Sequence, residues 1–132
     1  MSLIVLDTDV ASAILRERVP TSLNRQLTGR SLAITFVTVG ELTRWTLVSH
    51  WGPQRMAGMR AFFAHVVVLP YSPKVATVWG EIQAHGQLRG RTRPANDTWI
   101  AACCLARELP LATLNLKDFA DFVEHEGLEL VH

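Results

Sequence analysis

The stretch Leu3-Ile-Val-Leu-Asp-Thr-Asp-Val-Ala-Ser12 changes character at Asp7, where four apolar residues give way to two carboxylates, Asp7 and Asp9. The apolar run is short and β-rich, and positions 10–18 carry helical spacing, so the segment reads as a buried strand feeding a helix. In that reading Asp9 is the N-cap, because an aspartate there accepts from the free amides of the first turn. Asp7 lacks that explanation. In parallel sheets ligands collect beyond the carboxyl ends of the strands, so an acid directly after a buried strand is a candidate site residue.

Working outward, further β-rich runs at 32–36, 67–70, 111–114 and 128–131 are separated by segments of helical spacing at 22–27, 38–47, 56–66, 73–86, 96–105 and 119–126. Pro73 takes a first helical position, where its missing N–H is harmless. Positions 99–105 are apolar on every side, as an enclosed helix requires. Strands alternating with helices predict an α/β fold with a central, mostly parallel sheet of about five strands flanked by helices. At 132 residues the chain has one-domain length, so 1–132 is expected to fold as a unit.

Composition excludes several classes. With 48% hydrophobic and 19% charged residues the chain is not disordered, and no apolar run approaches the ~20 residues of a membrane span. The opening Met-Ser-Leu-Ile-Val-Leu-Asp lacks the basic start and cleavage pattern of a signal peptide, so a cytoplasmic location without a membrane partner is expected. Cys103 and Cys104 are adjacent in an apolar segment, which suits neither a disulfide nor a zinc pair. The net charge of +1 identifies no partner, although Arg89, Arg91 and Arg93 cluster within Leu88-Arg-Gly-Arg-Thr-Arg-Pro94.

Five polar residues can face one end of such a sheet. Asp7 follows the first strand, Glu41 lies a helical turn beyond the second, Asp97 opens the enclosed helix, and Asn115 and Asp118 follow the fourth strand. Like charges sharing a cleft destabilise one another, so the gathering implies a counter-charge such as Mg²⁺ or Mn²⁺, which prefers carboxylate oxygens. Plainer readings stand beside this one. Thr38-x-x-Glu41 has the form of a capping box, and Asp97 could complement the dipole of its own helix. Among enzymes, an Asp-x-Asp phosphatase would want Thr or Val where Ala11 stands. A phosphorylatable receiver needs a mid-chain aspartate, yet none occurs between Asp9 and Asp97. A metal-dependent nuclease remains.

Four segments together, Ile4-Val-Leu-Asp-Thr8, Thr38-Val-Gly-Glu-Leu42, Asn96-Asp-Thr-Trp-Ile-Ala-Ala102 and Leu109-Pro-Leu-Ala-Thr-Leu-Asn-Leu-Lys-Asp-Phe119, span nearly the whole chain. In them the sequence resembles the PIN-domain ribonucleases, and within that family the VapC toxins of toxin-antitoxin pairs. The resemblance implies a PIN-like three-layer sandwich and a Mg²⁺- or Mn²⁺-dependent endoribonuclease, acting on RNA such as tRNA, with a cognate antitoxin and a homodimeric state. It also implies roles. Asp7 and Asp97 would hold the metal, Glu41 would bind through water or orient the attacking water, and Thr8 and Thr113 would support the site. Asn115 stands where many relatives carry Asp, a departure for which Asp118 would compensate. The loop of Arg89, Arg91 and Arg93 runs into Asp97 and is the candidate RNA contact. Trp45, Trp51, Trp79 and Trp99 fit core or interface positions better than base-stacking ones. The expected dimer surface is the apolar surface of the helices around Trp45 to Trp51 and Met56 to Phe63, with an exposed stripe that contains Trp51, Met59 and Phe63. A housekeeping RNA-processing nuclease and an inactive RNA- or partner-binding module remain as alternatives.

Overall fold

Parallel strands cannot be joined by hairpins, and the chain supplies helical crossovers. In the computed structural model, which describes residues 3–132, β1 (Leu3–Leu6) leads through α1 (Thr8–Leu15) and α2 (Thr21–Leu27) to β2 (Ser31–Thr35). From there α3 (Phe36–Val48) and α4 (Pro53–His65) reach β3 (Val67–Leu69), and α5 (Pro73–Leu88) and α6 (Ala95–Arg107) reach β4 (Leu111–Ala112). Finally α7 (Leu116–Glu126) leads to β5 (Leu130–Val131). The strands lie in the order β3-β2-β1-β4-β5, and every described pairing is parallel. The α/β sandwich expected from the alternation is therefore observed.

Alternation along β1 divides the core into two layers. Val5 packs on one face with Val75 and Ile82 of α5, Ile100 of α6, and Phe119 and Phe122 of α7. Ile4 and Leu6 pack on the other with Val10 of α1, Leu23 of α2, Leu42 of α3 and Met59 of α4. Ala101, Ala102, Cys103 and Cys104 are wholly buried, which accounts for the unbroken apolar character of α6. Burial pushes the Cys103 thiol up to about 11 and Cys104 well above its ordinary value, so both stay protonated at neutral pH.

Two caps differ from the expectation. The N-cap of α1 is Asp7, not Asp9, which instead sits in the first turn. At α3 the cap is Thr35, whose hydroxyl accepts from the Thr38 amide at 3.3 Å. That amide is thus already satisfied, and Glu41 is not the partner in a capping box. The apolar stripe also differs: Met59 is buried, and Trp51 and Phe63 are half-buried against the same core layer. The exposed apolar side chains include Leu47 and Val48 at the end of α3, and Val67, Val68 and Tyr71 at the β3 edge. Among the described residues no helix is long and apolar enough to cross a membrane.

β1 is central, and the chain builds outward from it first through β2 and β3, then through β4 and β5. The crevice between the carboxyl ends of β1 and β4 is consequently the topological switch point, where open α/β sheets place ligands. Asp7 and Thr113 follow those two strands directly.

Candidate acidic active site

At the switch point the Asp7 amide donates to the Ala112 carbonyl at 2.8 Å, fixing the end of β1 against β4. The Asp7 side chain is nearly enclosed at 7% exposure. Its Oδ1 accepts from the Thr8 amide at 2.8 Å and its Oδ2 from the Thr113 hydroxyl at 2.9 Å. Thr113 Oγ1 in turn accepts from the Asn115 amide at 3.0 Å. Burial, helped by the charge of Asp9 and then Asp97, pushes the Asp7 carboxyl up to about 7 against these two hydrogen bonds.

The other acids surround it. Asp97, in the first turn of α6, is pushed up to about 6 by burial and by the charges of Asp118, Glu41 and Asp9. Asp9 is raised chiefly by burial, and its carboxylate accepts from the Leu114 amide at 3.2 Å, tying α1 to the segment after β4. The charges acting on both Asp7 and Asp97 are negative.

Glu41 lies on α3, one turn in from the β2 end. Thr8 Oγ1 donates to Glu41 Oε1 at 2.6 Å and lies 2.9 Å from the Thr38 hydroxyl. A hydroxyl has one proton, so Thr8 must accept from Thr38 while it donates to Glu41. Asn96 Nδ2 reaches Glu41 Oε2 at 3.4 Å. At the head of α7, Asn115 occupies the cap position without a side-chain cap bond, and its Nδ2 donates instead to Asp118 Oδ2 at 2.6 Å.

Asp7, Thr8, Asp9, Glu41, Asp97, Asn115 and Asp118 therefore line one open cavity of about 410 Å³. Ser12, Arg44 and Trp45 also line it; the sequence reading passed over Ser12 and Arg44 and weighed Trp45 as a core or interface residue. Their spacing offered a signal: Ser12 is three residues beyond Asp9, and Arg44 and Trp45 are three and four beyond Glu41, on the same helical faces. The acidic and amide ligating groups of the cavity are oxygen donors without imidazole or thiol, a set suited to a hard divalent cation. Among the described residues no three Asp, Glu, His or Cys side chains converge as a ready-made ligand group.

The arginine loop is not the free basic surface expected. Arg93 is buried, at 4% exposure, with Nε on Asp121 Oδ2 at 2.8 Å and NH1 on Glu126 Oε2 at 2.7 Å and the Ile82 carbonyl at 2.7 Å. Arg89 forms a fork on Asp121, with contacts of 3.2 and 2.8 Å. These bonds hold Asp121 well below the usual carboxylate range. Arg93 and Arg89 thus brace the loop against α7, leaving only Arg91 largely exposed, 3.9 Å from Asp121.

A family model for the PIN domain matches residues 4–124. The chain belongs to the PIN-domain family. It is 32% identical over 130 residues to ribonuclease VapC5 of Mycobacterium tuberculosis, covering 96% of this chain and 93% of that relative. Over 117 residues it is 29% identical to ribonuclease VapC2 of Haemophilus influenzae, covering 87% of this chain and 88% of the relative. The fold is shared with the crystal structure of VapBC-5, a member of the VapBC family of toxin-antitoxin systems from M. tuberculosis. That match has a TM-score of 0.75 at 27% identity and covers 100% of this chain and 99% of that one. The acids of this chain gather at the β1–β4 crevice.

Proposed function

We propose that the chain is a divalent-metal-dependent endoribonuclease, the toxin of a toxin-antitoxin pair. The observation that carries this reading is the cavity of acids at the switch point, where burial and neighbouring negative charge raise both Asp7 and Asp97. The relatives named VapC ribonucleases and the VapBC toxin-antitoxin structure support both the reaction and the kind of partner.

Asp7 and Asp97 are the residues that would hold Mg²⁺ or Mn²⁺, with water completing the shell, as magnesium tolerates. When bound, such an ion supplies Lewis-acid polarisation of the scissile phosphate and a lowered pKa for water. Glu41, aligned by Thr8 and Thr38, orients the water that attacks phosphorus and receives its proton. Asn115 and Asp118 form the outer acidic wall, with a neutral amide beside the carboxylate. An antitoxin and a second copy of the chain are the proteins proposed to cover Leu47, Val48, Val67, Val68 and Tyr71.

The test is to express the wild-type chain and Asp7→Ala briefly in cells and map new RNA 5′ ends. The purified proteins are then assayed on RNA with Mg²⁺ and with chelator. Cuts made only by the wild type, and lost on chelation, are expected. Wild-type protein that cuts no RNA under either condition defeats the reading.

A further inference from the structure

The buried guanidinium of Arg93 leaves the substrate's phosphates to be met elsewhere, and the structure carries a second basic cluster beside the acidic cavity. Arg16 at the end of α1 lies over Trp45, 5.8 Å from its ring centroid. Trp45 meets Trp51 edge to face, 4.8 Å between centroids, and Arg55 of α4 lies over Trp51 at 5.6 Å. Arginine, tryptophan, tryptophan and arginine thus form one continuous ladder across α1, α3 and α4. Trp45 also lines the acidic cavity, while Trp51, Arg16, Arg18 and Arg55 line a neighbouring recess of about 270 Å³. One end of the ladder therefore opens on the site of the proposed chemistry.

The charges are available. The described ion pairs all run to Asp121, Glu124 or Glu126, on the far side of the sheet, and none involves Arg16, Arg18 or Arg55. All three arginines are exposed, and Glu17 is the one acid that lines their recess. Cations held over indole faces are kept in place without being neutralised, and the two tryptophans that hold them are half-buried against the core. We infer that the Arg16–Trp45–Trp51–Arg55 ladder, with Arg18, is a binding track for the RNA strand flanking the cut site, with the arginines on its phosphates and the tryptophans holding them in place. Single-stranded nucleic acid is bound in this way, by a positive groove interleaved with aromatic rings.

This inference rests on RNA being the substrate, and its test is binding rather than cleavage. Affinity of the full chain for a fluorescent single-stranded oligoribonucleotide is measured in chelator across a salt series. The proteins compared are wild type, the triple variant Arg16→Gln/Arg18→Gln/Arg55→Gln, and the matching triple lysine variant. Each single-strand phosphate contact contributes about 0.7 to the slope of log affinity against log salt, so the glutamine variant should lose about 2 from the slope. The lysine variant should keep it. Equal slopes for wild type and glutamine variant overturn the track, whatever the cleavage assays report. If the glutamine variant binds RNA normally but loses self-association or capture of its antitoxin, the surface is a protein interface and the inference is wrong. Wild-type protein that binds with the expected slope yet cuts nothing would instead count against the proposed chemistry while leaving the track in place.

Discussion

The Thr113 hydroxyl reaches across the switch point to Asp7 Oδ2 at 2.9 Å, joining the carboxyl ends of β4 and β1. That bond favours the charged carboxylate, and it opposes the burial that raises Asp7 to about 7. Thr113→Val keeps the side-chain shape and removes the donor. Asp7 should then hold its proton to higher pH, by about one unit for a charge-assisted bond worth ~1.5 kcal/mol. A metal ion must displace that proton, so Mn²⁺ binding, followed by calorimetry, should move its midpoint to higher pH. A midpoint that stays put would separate Thr113 from the ionisation of Asp7.

The raised acids also set the pH dependence of the metal-free fold. A carboxyl whose folded pKa exceeds its unfolded value contributes most below the unfolded value, about 4, and that contribution is lost as pH rises through the folded one. For Asp97 and Asp7 the loss falls between about 4 and about 7. Asp121 has the opposite sign: its folded pKa is depressed, so its contribution is present above about 4 and disappears as pH falls further. In chelator the melting temperature should therefore be greatest near pH 4, declining towards pH 7 and again as the pH falls further below 4. Asp7→Asn should melt higher than wild type at pH 8 and lose cleavage, because one buried charge is gone. Flat wild-type melting between pH 4 and 7 would show that burial and neighbouring charge do not raise these acids.

Thr8 and Glu41 form a second testable pair. Glu41→Gln retains size and hydrogen-bonding capacity but not charge, and the amide of Thr38 keeps its Thr35 partner whatever stands at 41. Stability should change by less than about 0.5 kcal/mol, the range of substitutions away from buried contacts. Cleavage should fall by about two orders of magnitude or more, the scale of a positioned acid-base group. Thr8→Val should show part of the same loss, since Glu41 then lacks the donor at 2.6 Å. Thermal melting and initial rates on one RNA decide this. Normal rates in Glu41→Gln would remove Glu41 from the chemistry.

Arg93 is predicted to matter for folding rather than for RNA. Replacing it by Ala leaves Asp121 and Glu126 without their buried partner and should cost about 3–5 kcal/mol. Arg91→Gln, at an exposed position, should cost no more than about 0.5 kcal/mol. Gly86→Ala should resemble Arg93→Ala, because a Cβ there would stand 2.6 Å from the Arg91 carbonyl oxygen and press on the Arg93 side chain. Denaturant unfolding ranks the three variants. An Arg93→Ala protein as stable as wild type would contradict the bracing role.

These contrasts mark what was legible in the sequence. β1, α6 and the order of strands and helices follow from hydrophobic runs and their period, which are local signals. Asp7 was legible for the same reason, as an acid at the end of a buried run. The fate of Arg93 was not, because its partners Asp121 and Glu126 lie on a different helix and only the fold brings them within 2.8 Å. Thr38 and Glu41 matched a capping pattern that also describes two residues facing Thr8, and only the cap at Thr35 separates the readings. Likewise the Arg16–Trp45 contact joins α1 to α3, and spacing along one helix cannot reveal it.

Asn115 and Asp118 supply the last prediction. The Asn115 amide donates to Asp118 at 2.6 Å and makes no side-chain cap bond, so its role as a plain helix cap is already weakened. Asp118 is the neighbouring charge that acts most strongly on Asp97, which places its influence within the acidic cavity. Asn115→Asp would exchange that hydrogen bond for a repulsion between two carboxylates. In chelator the variant should melt lower than wild type. With Mg²⁺ the order should reverse, because an added carboxylate near a divalent ion increases the attraction that holds it. The Mg²⁺ concentration for half-maximal cleavage should fall in Asn115→Asp, rise in Asp118→Asn, and return close to the wild-type value in the double variant, where the charge count is restored. If both residues serve only the start of α7, melting should shift by tenths of a kcal/mol equivalent, the scale of an exposed dipole interaction, and the Mg²⁺ requirement should be the same in all three variants. Magnesium titrations of cleavage, paired with melting in chelator, separate these accounts, and an unchanged requirement would exclude both side chains from the metal's surroundings.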